Sequence, residues 1–368
     1  MAPTSPRRLV AAFIAGALLF VAAVPAVNAW RRGALPGSAS ELFDIDFRFL
    51  NAGGLLRHAG VSTLPRQVIV GKGDWLFLGD QYAQGISVKR RPASPADRQV
   101  AQRMADNALA WRRWLAAEGV REDWVLVVAD KDSIFPDRLP DWDRPAAPSA
   151  MDVAMAAADP RRIVDSRPAL RRERGVDGAP LYARTDSHWT VRGAWVGYRA
   201  LSQVASDAGS SAAWLRDGDV RFAETDLAEG DLARLLHVAS PARDRGARVT
   251  LAGAWAGERT QFDADTGEAL SAASLEVAEP LRRVVRIVSP HALNRSRLLW
   301  LRDSSGAALV PFVAATFREV IEVDRASTSS AQWAALVRRL RPDAVLVSVV
   351  ERNARDAWFQ ALPPASAQ

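Results

Sequence analysis

The sequence predicts an α/β fold in which helices cover both faces of a central, mostly parallel sheet. Continuous apolar runs, such as WVLVV (124–128) and AVLVSVV (344–350), are typical of strands that are buried on both faces. Amphipathic helical patterns alternate with these runs along the chain, which is typical of a parallel sheet between two helical layers. The length of 368 residues is sufficient for a large core of this kind.

The composition excludes several classes of chemistry. The chain is 49% hydrophobic and 24% charged, which is typical of a globular protein. It contains no cysteine, so disulfides, thiol nucleophiles and sulfur-ligated metal sites are excluded. Its four histidines are scattered, and we expect neither a metal site nor a cofactor. The net charge of +6 comes from dispersed arginines without a long basic block, so a nucleic-acid partner is not predicted.

Residues 1–30 have the pattern of a targeting segment. Arg7 and Arg8 precede an uncharged run, LVAAFIAGALLFVAAVPAVNA, that ends at Ala29. About 20 apolar residues can span a bilayer as one helix, and the basic flank is expected to stay in the cytoplasm. A signal peptide cleaved after Ala29 is the alternative, but the run exceeds the usual length of about 7–15 apolar residues. We therefore expect a signal anchor, with residues 31–368 forming a domain that faces a non-cytoplasmic space.

The elements of this domain can be predicted in order. QVIVG (67–71) and WLFLG (75–79) flank a glycine-containing turn and predict a hairpin. Ser94 and Pro95 are typical of the N-cap and first position of a helix, which we expect to extend to about Glu118.

The later elements continue the alternation. Apolar residues recur at helical spacing from Val191 to about Val204. The interval 205–290 is less regular and is predicted to be an insertion or an elaborated sheet edge. The remaining chain predicts strands at LLWL (298–301), VIEV (320–323) and AVLVSVV (344–350), with helices around 307–317 and 330–340.

One candidate catalytic loop is Asp303-Ser304-Ser305-Gly306, which directly follows the 298–301 strand. Catalytic residues of such sheets lie just beyond the carboxyl ends of the strands. Backbone N–H groups at the start of the next helix are suited to stabilising an oxyanion. Helix capping by Asp303 and Ser304 explains the same residues without catalysis. The loop alone leaves both interpretations open.

A second candidate loop, TDSHWT (185–190), precedes the 191–204 helix. Asp186 and His188 are two residues apart, so an extended loop directs both side chains to the same side. A carboxylate partner orients an imidazole and stabilises its protonated form, and a serine hydroxyl needs such a base to become nucleophilic. A structural histidine beside a capping aspartate is the alternative. Because no Gly-x-Ser-x-Gly elbow occurs, an ordinary α/β-hydrolase is not predicted.

The order of these motifs resembles the SGNH-hydrolase-like O-acetyltransferases of bacterial exopolysaccharides, the family of the alginate O-acetylation proteins AlgJ and AlgX. The resemblance implies an SGNH-hydrolase-like three-layer sandwich. At position 305 a serine replaces the family's aromatic residue, which makes Ser305 a rival of Ser304. The similar segments are VIVGKGDWLF (68–77), Asp130-Lys131, TDSHW (185–189), DSSG (303–306), Arg341-Pro342-Asp343 and Glu351-Arg352.

The resemblance also implies roles for individual residues. Ser304 corresponds to the nucleophile, His188 to its base, and Asp186 to the residue that orients the base. Further residues are predicted to contact the substrate or the oxyanion, namely Trp189, Ser305, Asn294 and Arg302.

The implied activity is transfer of an acetyl group, through an acyl-serine and without a cofactor, onto hydroxyls of an exported polysaccharide. The implied partners are that polysaccharide and a membrane-bound O-acyltransferase that supplies the acetyl group. Two alternatives remain open. One is a periplasmic carbohydrate esterase of the SGNH type, and the other is a non-catalytic polysaccharide-binding or assembly factor.

Overall fold

The computed structural model describes most of the chain after residue 63. Most of the predicted signal anchor, residues 1–30, lies outside the described residues. Among the helices that are described, none combines the length and the hydropathy required to cross a bilayer. The continuous described segments are 64–141, 145–176, 180–236, 244–253, 259–270 and 284–364.

The described strands form one eight-stranded sheet and two antiparallel ribbons. One ribbon pairs β1 (Val68–Val70) with β2 (Leu76–Leu78), which confirms the predicted hairpin. The other strands are β3 (Glu122–Val128), β4 (Ile163–Asp165), β5 (Val220–Asp226), β6 (Arg245–Leu251), β7 (Thr260–Asp263), β8 (Ala269–Leu270), β9 (Val285–Val288), β10 (Asn294–Arg302), β11 (Phe317–Asp324) and β12 (Ala344–Val350).

The central sheet has the strand order β4-β3-β12-β10-β11-β9-β7-β8. The strands from β4 to β11 are parallel to their neighbours, whereas β9, β7 and β8 add antiparallel pairs at one edge. The sheet is therefore mixed, although the sequence predicts a mostly parallel one. The antiparallel strands β7 and β9 bury alternate residues, a pattern typical of antiparallel sheets and unlike the continuous apolar runs of the parallel strands.

The helices largely follow the predictions. Ser94 caps the 95–117 helix by accepting a hydrogen bond from the Asp97 N–H, which confirms the predicted start. The helix predicted around 307–317 is instead a 3₁₀ turn at Ser304–Leu309 followed by a short α-helix. The α-helices of the described residues are α1 (Gly85–Arg90), α2 (Pro95–Ala117), α3 (Lys131–Ile134), α4 (Ala150–Ala157), α5 (Arg167–Glu173), α6 (Val191–Asp207), α7 (Asp231–Leu235), α8 (Val310–Thr316) and α9 (Ser330–Leu340).

Alternate residues of β10 face opposite helical layers. Leu298 and Trp300 pack in the core cluster that contains residues of α6 and α8. Leu299 and Leu301 pack in the opposite cluster, with residues of α2 and α9. All four side chains are 0% exposed, so β10 is fully covered at the centre of the sheet. The candidate catalytic loop 303–306, which follows β10, therefore begins at the end of a fully buried strand.

We expect Leu299→Ala to lower the free energy of unfolding by about 2–5 kcal/mol, because it leaves a cavity in a closely packed core. Leu109→Ala is the matched control, since Leu109 is 46% exposed on α2, and it should change the stability by less than about 0.5 kcal/mol. Denaturant unfolding of both variants measures the difference. Equal losses would contradict the buried position of β10.

Candidate active site

Asp186, His188 and Ser304 meet at the carboxyl edge of the parallel strands. His188 Nε2 lies 2.9 Å from Ser304 Oγ across a separation of 116 residues in the sequence. His188 Nδ1 lies 2.8 Å from Asp186 Oδ1. With the proton on Nδ1 directed to the carboxylate, the Ser304 hydroxyl donates to Nε2. This arrangement can deprotonate a serine as it attacks an electrophile.

The charges around His188 favour its role as a base. Burial opposes the ionisation of Asp186, but the hydrogen bond and charge of His188 outweigh it and hold the pKa of Asp186 below its ordinary value. Burial also opposes protonation of His188. The hydrogen bond to Asp186 and the charges of Asp186 and Asp231 outweigh this effect and raise the pKa of His188. The carboxylate therefore stays ionised and the imidazole gains basicity.

The structure separates the two candidate serines. Ser305 is only 3% exposed, and both its hydroxyl and its N–H donate to Asp303 Oδ1, the latter at 3.0 Å. Asp303 Oδ2 in turn accepts the Val350 N–H at 2.7 Å. Ser305 therefore bonds to Asp303, which joins the loop to β12, whereas the Ser304 hydroxyl faces the imidazole.

The loop changes the expected source of oxyanion stabilisation. The Ser305 N–H donates to the Asp303 side chain, and the Gly306 N–H donates to the Asp303 carbonyl at 3.1 Å. Two of the first three N–H groups of the 3₁₀ turn are therefore already used. The remaining N–H group is that of Ser304, the candidate nucleophile.

Trp189 does not lie where a sugar ring could stack on it. The residue is 4% exposed, and its indole Nε1–H donates to the Ser305 carbonyl at 2.8 Å. Its ring packs so closely on α6 that a Cβ at Gly197 would lie 2.6 Å from it. The prediction of substrate contact is corrected. Trp189 instead supports the 303–306 loop through its bond to the Ser305 carbonyl.

The side chains of Asn294 and Arg302 are also engaged by other parts of the protein. Asn294 begins β10, at roughly 3.3 Å per residue some 25 Å from the catalytic end of that strand, and its amide bonds to the backbone of Ala213 and Thr316. Arg302 is 3% exposed and donates twice to Glu322, at 3.0 and 3.1 Å. Both predictions of substrate or oxyanion contact are therefore corrected.

The residues that hold the loop around His188 (183–190, the histidine loop) have no signal in the sequence. The buried Lys131 Nζ donates to the carbonyls of Ala183, Arg184 and Asp186 at 3.0, 3.1 and 2.5 Å. Burial lowers the pKa of Lys131 to about 8, against the opposing charges of Asp186 and Asp231. The sequence marks Lys131 only as part of a motif after a strand, with no signal that its ammonium group binds a loop 52 residues away.

The interval 205–290 supplies further support for this loop. Asp244 Oδ2 accepts the Thr185 N–H at 2.7 Å and its hydroxyl at 2.5 Å. The chain at Gly230 passes so close that a Cβ there would lie 2.2 Å from the Thr185 carbonyl oxygen. No periodicity or motif could have indicated these contacts, because isolated acids and glycines in an irregular segment are ordinary.

Asp186, His188 and Asp231 place three oxygen and nitrogen atoms within 4.8 Å of one another, a spacing that a metal ion could use. Both imidazole nitrogens, however, already have protein partners, namely Asp186 at Nδ1 and Ser304 at Nε2. The geometry therefore suits a chain of hydrogen bonds better than a coordination sphere.

A small pocket adjoins the histidine loop. It encloses about 320 Å³, including its open mouth, and Tyr82, Ser187 and Arg352 contribute to its walls. Arg352 follows β12 and pairs with the buried carboxylate of Asp130, which also accepts from Lys89 at 3.0 Å. One wall of the pocket is therefore a cation that the buried carboxylate of Asp130 holds in place.

The chain matches the family described as SGNH hydrolase-like domain, acetyltransferase AlgX, over residues 68–268, which is more than half of its length. The matched region contains Asp186 and His188 and ends before Ser304. Comparison with curated proteins finds no match.

Solved structures share the fold. PatB1 of Bacillus cereus is 16% identical with a TM-score of 0.60, covering 79% of this chain and 98% of that chain. A structure of the same protein with a sulfonyl adduct is 14% identical, with a TM-score of 0.57 and coverages of 80% and 97%. A DHHW family protein of Eubacterium siraeum is 15% identical with a TM-score of 0.57, covering 83% of this chain and 98% of that chain.

We expect an aryl sulfonyl fluoride to label Ser304, because His188 can remove its proton during attack on sulfur. Ser304→Ala should reduce labelling by a factor on the order of 10³. Ser305→Ala is the matched control and should keep labelling within about tenfold, because it removes only a supporting hydrogen bond. Intact-mass measurements with peptide mapping follow the label. A label on Ser305, or undiminished labelling of Ser304→Ala, would contradict the assignment.

Proposed function

This chain belongs to the family of SGNH hydrolase-like acetyltransferase domains described by AlgX, and we propose that it acetylates hydroxyl groups of an exported bacterial polysaccharide through an acyl-serine. The contact of His188 Nε2 with Ser304 Oγ at 2.9 Å carries the proposal. Together with the Asp186 contact, it supplies a nucleophile, a base and an orienting carboxylate in one chain of hydrogen bonds.

In the first half-reaction, Ser304 Oγ attacks the carbonyl carbon of the acetyl donor while His188 Nε2 accepts the hydroxyl proton. Asp186 stabilises the imidazolium that forms, and the Ser304 N–H stabilises the oxyanion. The tetrahedral intermediate collapses when the bond to the donor's leaving group breaks. His188 returns the proton to that group, and the acetyl group stays on Ser304.

In the second half-reaction, a sugar hydroxyl replaces the leaving group. His188 accepts its proton as the sugar oxygen attacks the acyl carbon, and the bond to Ser304 Oγ then breaks. The proton returns to Ser304, which regenerates the enzyme. Water can follow the same route, so transfer depends on a sugar that occupies the site and outcompetes water.

We also propose that the reaction takes place on the periplasmic side of the inner membrane. The uncharged run from Leu9 to Ala29 supports this location, because its length and basic flank are typical of a signal anchor. A membrane-bound O-acyltransferase is the acetyl source we propose there, and an anchor would keep the domain beside it.

Incubation of the full chain with an activated acetyl ester and an oligosaccharide tests the activity. We expect an acetyl adduct on Ser304 and acetylated sugar, with both products lost in Ser304→Ala by a factor on the order of 10³. Intact-mass measurements follow the adduct, and mass spectrometry of the sugar follows the transfer. Ser305→Ala, which leaves the nucleophile in place, is the control.

The same experiment distinguishes the alternatives. Release of free acetate without acetylated sugar would favour an esterase. Absence of both adduct and turnover, together with measurable binding of the oligosaccharide, would contradict an enzymatic function and favour a polysaccharide-binding factor.

The acylation rate should depend on pH through His188. The neutral imidazole is the base, and Asp186 raises its pKa above the ordinary value of 6.5. We therefore expect kcat/KM for the acetyl ester to rise with pH to a plateau reached above that value. Asp186→Asn should move the acidic limb to lower pH and reduce the plateau by roughly 10³–10⁴. An acidic limb that stays in place in this variant would contradict the pairing.

A further inference from the structure

A second carboxylate lies beside the catalytic imidazole. Asp231 begins α7, and its Oδ2 lies 3.6 Å from His188 Nδ1. Its two oxygens accept hydrogen bonds from the Ser187 N–H at 2.7 Å and the Ser187 hydroxyl at 2.5 Å. The Asp231 N–H donates to Asp186 Oδ2 at 3.1 Å. Asp231, a residue of the irregular interval 205–290, thus contacts His188 and both residues that precede it, Asp186 and Ser187.

We propose that Asp231 is a positioning residue for acyl transfer, a second carboxylate that stabilises the imidazolium of His188 through its charge while its backbone holds Asp186. This inference rests on the proposed function, because the imidazolium forms only when His188 accepts a proton. The contacts of Asp231 are with His188, Asp186 and Ser187, so it acts on the reaction through His188.

The two carboxylates interact with the imidazole in different ways. Asp186 Oδ1 lies within hydrogen-bonding distance of Nδ1 at 2.8 Å, whereas Asp231 Oδ2 at 3.6 Å lies beyond it. The Asp231 side chain therefore acts on the imidazole through its charge and not through a hydrogen bond. Its side chain is 27% exposed, so solvent screens the charge only in part.

The other charges near His188 come from two further elements. Arg352, from the turn after β12, opposes protonation of the imidazole. Lys131, from α3, binds the backbone carbonyl of Asp186 and not its carboxylate. Burial of His188 is the largest effect against protonation. The hydrogen bond to Asp186 and the charges of Asp186 and Asp231 together outweigh burial and Arg352, so the pKa of His188 is raised.

A purely structural role for Asp231 makes a different prediction. Asp231→Asn keeps an oxygen that accepts the Ser187 N–H but removes the charge. Ser187→Ala keeps the charge of Asp231 but removes the Ser187 hydroxyl, which donates to Asp231 at 2.5 Å and lies 3.4 Å from His188 Nδ1. If Asp231 served only to hold Ser187, the two variants would change the protonation of His188 in the same way.

Titration of the His188 ring by NMR, in the full chain carrying Ser304→Ala, tests the inference without any reaction. The signal is assigned by its loss in His188→Gln. We expect Asp231→Asn to lower the pKa of His188 by about 0.5–1 unit, since a nearby negative charge is removed. Ser187→Ala should not lower it. Asp217→Asn is the matched control from the same interval, 64% exposed and paired with Arg199, and should leave the titration unchanged.

The reaction gives the second readout. In the wild-type background, Asp231→Asn should reduce the plateau acylation rate about 10- to 100-fold and move its acidic limb to lower pH. Asp231→Ser, which the start of a helix also accepts, replaces the amide variant if that one does not fold. An unchanged or raised pKa of His188 in the charge-free variants would overturn the inference. Absence of an acyl adduct in the wild type would overturn the proposed function. The NMR titration would then still decide whether the charge of Asp231 acts on His188.

Discussion

The buried strand β10 is the constraint on which the site depends. It lies between β11 and β12 with both faces covered, so its carboxyl end has a defined position. Asp303 then ties the following turn to β12 through the Val350 N–H. Ser304 is held in place because the segments before and after it are held. The site is completed when the histidine loop places His188 against Ser304.

The histidine loop is held by buried polar groups rather than by apolar packing alone. Lys131 donates to three of its carbonyls, and Asp244 accepts from Thr185 twice. Buried charges destabilise a protein unless they have partners, and here each has several. The same part of the site sets its electrostatics, because the charges of Asp186 and Asp231 act on both the ammonium of Lys131 and the imidazole of His188. Support of the loop and tuning of the base are therefore performed by one set of residues.

Local patterns predict local structure well in this chain. The run AVLVSVV forms β12 over the predicted residues 344–350, because a continuous apolar run suits a strand covered on both faces. Ser94 caps its helix as predicted, because a cap depends only on neighbouring residues. Asn294 shows the limit of such reasoning. It is near Ser304 in sequence, but it lies at the first residue of β10, whereas Ser304 follows the last residue of that strand.

The sequence by itself determined the alternation of buried strands and amphipathic helices, the family, and two of the residues that meet in the site, Asp186 and His188, with a serine of the 303–306 loop as the third. Only the tertiary structure decided between Ser304 and Ser305, because the choice depends on which hydroxyl faces His188 and which bonds to Asp303. It also decided the antiparallel edge and the roles of Lys131, Asp231 and Asp244. The physical reason is that these depend on contacts between distant segments, and neither residue type nor spacing along the chain encodes which segments touch.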